Sequence, residues 1–191
     1  MPITGFATKK LYISDAVNNR TLSGFSVSIG PVLSKQGIDI LDSSNYTILS
    51  KIINSKRPDL VLIPFDQIKK QLVLKISNVQ CDSLFLKLYY ESTVKLQLYD
   101  TLWKYMPCDL FMIIRIHDAM SIKTFDNVHK KRIRLEAELW NCKDQETIWR
   151  IEEYAISDGK KSTDKEIMFQ SIEKIYEQLP LTVPAYENGK W

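Results

Sequence analysis

The chain of 191 residues carries 26 Lys plus Arg against 23 Asp plus Glu, a net charge of +3, and is 45% hydrophobic and 26% charged. This is the size and balance of one folded domain, 1–191, with one core, and the near-neutral charge argues against the concentrated basic surface of a nucleic-acid binder. No window reaches the ~18 to 20 apolar residues of a membrane span, and the opening MPITGFATKKLYIS lacks the apolar stretch and cleavage site of a secretion signal.

Residues 1–22 read as an extended lead-in with a short strand over Lys10 to Ile13. From Gly24 the pattern sharpens: Phe25, Val27 and Ile29 alternate with Ser26, Ser28 and Gly30, the period of a half-buried strand, and Pro31 is expected to end it. Asp42, Ser43 and Ser44 are helix N-cap residues, and Leu49, Ile52 and Ile53 share one helical face, which predicts a helix over 42–55. Arg57-Pro58-Asp59 breaks it. The run Leu60-Val61-Leu62-Ile63 then suits a strand covered on both faces. Strand, helix, strand normally closes by a right-handed crossover into a parallel pair.

Between Asp82 and Tyr105 alternation and helical spacing compete, and the absence of Pro and Gly over that length selects helix. Its stripe of Phe85, Leu88, Tyr89, Leu96, Tyr99, Trp103 and Met106 reads as core packing. After Pro107-Cys108-Asp109, Leu110 to Ile116 is the most apolar run in the chain and predicts a central strand. A loop over Ser121 to Asn127 leads to a basic entrance, His129-Lys130-Lys131-Arg132 with Arg134, read as a solvated strand end.

Residues 132–156 form a predicted hairpin. Ile133, Leu135, Ala137 and Leu139 fall on one face, and Arg134, Glu136, Glu138 and Trp140 on the other. Trp149, across the turn Lys143 to Glu146, is expected to meet Trp140 as a cross-strand or diagonal pair, unless a helix lies over that face instead. The hairpin is placed at the sheet edge, which makes Trp140, Trp149, Arg134 and Glu138 the candidate interaction surface and self-association an expectation. Thr163 and Glu166 have capping-box spacing, and Ile167, Met168, Ser171, Ile172, Ile175 and Leu179 line one face of a last helix that stops at Pro180. Residues 181–191 read as a surface tail. The order predicts an α/β (α+β) domain: a mixed sheet of about five strands with a C-terminal hairpin and helices packed on it.

Chemistry is hard to find in the chain. There is no G-x-S-x-G nucleophile turn and no phosphate-cradling glycine motif. Cys81, Cys108 and Cys142 show no CxxC pair; they read as buried apolar residues, with at most one intramolecular bridge. Cys108 and His117 sit at opposite ends of one strand, about 30 Å apart. His117, Asp118 and His129 remain the only cluster for a metal or acid-base site. No catalytic, cofactor-binding or metal-binding residue is assigned, and no cofactor is expected.

LFMIIRI followed by RLEAELWNCKDQETIWR resembles a group of bacterial envelope lipoproteins related to the TolB amino-terminal domain and to CsgG-like proteins. In that group a strand-helix-strand start is followed by a helix ending in an Ala/Cys-Asp step, a strand, and a hairpin whose second arm ends in a hydrophobic residue and Trp. Pro107-Cys108-Asp109-Leu110 matches the step, Leu135-Ala137-Leu139-Trp140 the first arm, Lys143 to Glu146 the turn, and Ile148-Trp149 the second arm. The usual turn Gly is replaced by Gln145 or Glu146, and no lipidated Cys with a signal is present. The resemblance spans residues 25–181. It implies a non-enzymatic accessory or assembly protein, the soluble part of a periplasmic lipoprotein that binds protein components of the envelope and meets the membrane only through an upstream lipid anchor. The alternatives are a cytoplasmic interaction module, or a small-molecule-binding protein or enzyme with a pocket beside His117, Asp118 and His129.

Overall fold

A computed structural model describes residues 3–14, 24–34, 37–39, 43–90, 100–123, 129–158 and 163–180. The central strand pair is built from the two most regular apolar patterns. β2, Ser26–Ser34, lies parallel to β5, Leu110–Lys123, with Val27 opposite Leu110 and Ile29 opposite Met112. On its other side β2 meets β4, Val61–Ile63, in parallel and β3, Gly37–Asp39, in antiparallel. β6, His129–Asn141, and β7, Glu146–Asp158, form the hairpin, and β1, Ile3–Ile13, pairs antiparallel with β7. The order is β1-β7-β6-β5-β2-β3, with β4 beside β2.

Helices cover both faces. α1, Ser43–Lys56, and α5, Asp164–Glu177, lie on one, where Ile53, Ile167, Ile172 and Ile175 pack on Met112, Ile114, Leu135, Ala137 and Leu139. α5 starts as expected: the Thr163 hydroxyl accepts from the Glu166 backbone N–H while Glu166 reaches back to the Thr163 N–H. α2, Phe65–Val73, α3, Asn78–Tyr90, and α4, Asp100–Tyr105, cover the other face, where Ile68, Leu72, Phe85, Leu88, Leu102 and Trp103 pack on Leu33, Phe111, Ile113 and Trp140. The domain is thus a mixed sheet with packed helices and a C-terminal hairpin, and its described sheet has seven strands.

Several expectations change. β2 does not stop at Pro31: a register shift between Ile29 and Val32 carries Gly30 and Pro31 through, so the missing proline N–H interrupts the ladder without ending the strand. Coverage by helices on both sides leaves Val27 to Ser34 buried throughout rather than half-buried. β4 is not doubly covered, since it pairs only with β2 and leaves Val61 55% exposed. The lead-in contains an eleven-residue strand, and its pairing with β7 moves the hairpin from the edge to the interior of the sheet. β5 runs on to Lys123, so the loop expected from Ser121 begins later. The helix expected over 82–105 appears as α3 and α4; residues 91–99, the caps at Asp42 and the tail 181–191 lie outside the described residues.

Candidate functional site: the polar face of the hairpin

The two hairpin tryptophans lie on opposite faces. Leu139 pairs with Trp149, but a register shift follows and Trp140 pairs with Thr147, leaving Ile148 as the extra residue. That single insertion reverses the alternation, because a one-residue slip turns every following side chain over. Trp149 joins Leu139 and Ile151 under α5 and is 1% exposed. Trp140 stays with Glu138 on the other face, stacked on Trp103 of α4 with centroids 5.0 Å apart and planes at 19°. The expected pair is absent, and the alternative, a helix lying over the Trp140 face, is what the structure shows. Of the four candidate surface residues Trp140, Trp149 and Glu138 are buried; only Arg134 reaches solvent.

Glu138 is buried because it belongs to an ion network across three strands. Arg115 on β5, itself fully buried, donates from Nε to the Leu88 carbonyl at 2.7 Å and from Nη1 to Glu136 Oε1 at 2.9 Å, and pairs with Glu138 Oε2 at 2.8 Å. Arg150 on β7 donates from Nη2 to Glu136 Oε2 at 2.9 Å, and His117 Nε2 lies 3.1 Å from the same oxygen. Trp140 donates its indole N–H to Glu138 Oε2 at 3.1 Å. Burial pushes the Glu136 carboxyl up, but the hydrogen bonds from His117 and Arg150 and the charges of Arg115 and Arg150 outweigh it and hold it at about 2. A carboxylate so stabilised is a poor proton carrier near neutrality. Its physical effect is to lock β5, β6 and β7 together.

Beyond this network the same face opens to solvent. Tyr154 donates its hydroxyl to Glu152 Oε1 at 2.7 Å, and the Arg134 Nε–H donates to the same oxygen. The guanidinium carbons of Arg132 and Arg134 stand 4.9 and 5.8 Å from the centre of the Tyr154 ring. Arg132 pairs with Met120 on one side and Ile156 on the other, and these two are 55% and 38% exposed. Met120, Arg132 and Ile156 therefore form one row across β5, β6 and β7, with Asp118, Arg134 and Tyr154 as the row beside it. Methionine, arginine and tyrosine are the residue types enriched where proteins meet. The row was not visible in the sequence, because the strand that closes its far side, β1, and the length of β5 were not.

His117, Asp118 and His129 are not brought together. His117 is the bulged residue between Ile116 and Asp118 and turns onto Glu136. Asp118 pairs with Arg134, whereas His129 pairs with Lys123, five register positions away or about 17 Å along the strands. Among the described residues no group of three or more metal-ligating side chains lies together, and no helix is long and apolar enough to cross a membrane.

No protein-family model and no curated protein matches the sequence. Solved structures similar to the chain include the PelC dodecamer from Paraburkholderia phytofirmans, 9% identical over 94% of this chain and 99% of that one, with a TM-score of 0.49. Others are the lipoprotein GNA1162 from Neisseria meningitidis, 10% identical over 80% and 96% with a TM-score of 0.46, and the LpoB C-terminal domain from Escherichia coli, 9% identical over 71% and 85% with a TM-score of 0.38. At these values no residue of the chain inherits a role.

Proposed function

We propose that the chain is a non-enzymatic accessory or assembly protein of the bacterial envelope that binds a protein partner through the open face of β5, β6 and β7. One observation carries the reading: Met120, Arg132 and Ile156 stand exposed side by side on a sheet face whose neighbouring polar groups are already tied to one another. Two apolar side chains flanking Arg132, beside the preorganised Arg134 and Tyr154, offer a partner buried contact without a large ordering penalty. The Arg115-Glu136-Glu138-Arg150 network across β5, β6 and β7 holds that face in register. The envelope setting rests on the resemblance of Pro107 to Leu110 and of the hairpin to the lipoprotein group named above.

A photo-crosslinking residue at Met120 or Ile156, introduced into the full-length protein in cells, tests this. The expected result is a discrete adduct with an envelope protein from both positions and none from Leu74, which is 82% exposed on the α2–α3 corner. Equal labelling from all three positions, or adducts only with cytoplasmic proteins, overturns the reading, the latter in favour of a cytoplasmic interaction module.

A further inference from the structure

At the closed end of the hairpin two of the three cysteines meet. Leu110 pairs with Asn141, and the next rung is a single hydrogen bond from the Cys142 N–H to the Asp109 carbonyl at 2.8 Å. Cys142 is thus one diagonal step from Cys108, which at strand spacing puts their Cα atoms about 6 Å apart, inside the range disulfides span. The side chains turn to the same face: both lie in the apolar cluster with Trp103 and Trp140, at 6% and 5% exposure. Cys108 stands in a bend before β5 and Cys142 in the turn after β6, so neither is fixed by ladder bonds on both sides. The third cysteine, Cys81, is buried on α3 in the same apolar cluster but stands on a helix, away from the ladder that sets Cys108 beside Cys142.

Asp109 holds this end in place. Its carboxylate accepts from the Ser26 N–H at 2.8 Å and the Ser26 hydroxyl at 2.6 Å, and its N–H donates to Ser26 Oγ at 2.9 Å. The start of β2, the start of β5 and the hairpin turn therefore converge on the thiol pair.

We propose that Cys108 and Cys142 are the reduced half of a structural disulfide that forms when the chain folds in the presence of a small-molecule or protein disulfide. One cysteine, as its thiolate, attacks the external disulfide, joins one of its sulfurs and releases the other as a thiol. The second cysteine then attacks the sulfur of the first, forms the Cys108–Cys142 bond and expels the remaining external thiol. Two S–H bonds and one external S–S bond are lost; one internal S–S bond and two external thiols are gained. In the folded dithiol the neighbouring Cys108 thiol and then burial keep the Cys142 thiol protonated, so exchange takes place while this end of the hairpin is still unfolded and not in the finished fold. This inference does not depend on the docking face.

The test refolds the reduced full chain from denaturant in a buffer of oxidised and reduced glutathione, quenches with acid, denatures and alkylates all free thiols. Peptide mapping is expected to show one alkylated cysteine, Cys81, and a linked pair of peptides carrying Cys108 and Cys142. Oxidation should raise Tm by about 10 °C, from a loop of some 35 residues in a chain of this size. Cys142→Ala should lose both the linked peptide and the Tm difference between oxidising and reducing buffer, while Cys81→Ala keeps both. Three alkylated cysteines after refolding in oxidising buffer overturn the proposal, as does a bond that involves Cys81. If Cys142→Ala fails to fold, Cys108→Ser serves the same arm, and the wild-type mapping stands without either.

Discussion

Glu136→Gln isolates the energetic weight of the buried network. The glutamine keeps the shape of the side chain but removes the charge that Arg115, Arg150 and His117 converge on. In the folded protein the carboxyl titrates at about 2 against an ordinary 4.5. At about 1.4 kcal/mol per pH unit this depression corresponds to about 3 kcal/mol of native-state stabilisation. Because the folded value lies below the unfolded one, the contribution is fully present above pH 4.5 and is lost as pH falls through about 2. The loss in the variant stays near 3 kcal/mol, not the larger penalty of an orphaned buried cation, because Arg115 retains Glu138 Oε2 and the Leu88 carbonyl. Urea unfolding of wild type and Glu136→Gln in steps between pH 7 and pH 2 reads the difference directly, with urea chosen because it does not screen charge. Carboxylates outside the network titrate alike in both proteins and cancel. The expected gap is about 3 kcal/mol at pH 7 and closes toward pH 2. A gap below about 1 kcal/mol at pH 7, or one that does not narrow with acid, would refute the idea that Glu136 is held ionised by its partners.

Three further changes probe packing and backbone. Gly30→Ala places a methyl 2.6 Å from Phe111 Cζ and 3.0 Å from the Met112 carbonyl, and Phe111 is hemmed in by Phe65, Phe85 and Trp103. A loss of about 1–3 kcal/mol is expected in denaturant unfolding, partly restored by adding Phe111→Leu. Gln145 closes the hairpin with φ at 56°, a left-handed conformation that glycine adopts freely, so Gln145→Gly should gain about 0.5 kcal/mol once the added unfolded-chain entropy is subtracted. Trp140→Ala removes the stack on Trp103 and leaves a buried void, for an expected loss of about 3–5 kcal/mol with no change in the pH dependence set by Glu136.

What could be read from the sequence was local. The capping box at Thr163 and Glu166, the apolar runs of β2 and β5 and the alternation of β6 each depend on residues within a few positions of one another. Only the last four residues of β1, Lys10 to Ile13, were legible, because its partner in the sheet is β7, some 140 residues later, and its own sequence, ITGFATKKLYI, alternates poorly. Pro31 was read by its usual rule, which holds for a regular ladder; the register shift at Gly30-Pro31 suspends the rule for the two residues it concerns.

The charged face of the hairpin failed for a deeper reason. Alternating Arg134, Glu136, Glu138 and Trp140 against Ile133, Leu135, Ala137 and Leu139 has the form of a sheet with one wet side, and the pattern by itself cannot tell a wet side from one neutralised by partners. The distinguishing residue was Arg115, a charge set inside the apolar run Leu110 to Ile116. A guanidinium in the middle of a central strand has to find carboxylates on the adjacent strand, because an unpaired buried cation is far more costly than an exposed one. Glu136 and Glu138 lie two residues apart, on the same side of the next strand, and Arg150 opposite Glu138 completes the ring. Once Arg115 is taken as buried, the face beside it divides into a closed half near the turn, where Trp140 and Glu138 are tied down under α4, and an open half toward Met120 and Ile156. That division moves the candidate interaction surface away from the tryptophans and onto the far end of the same strands.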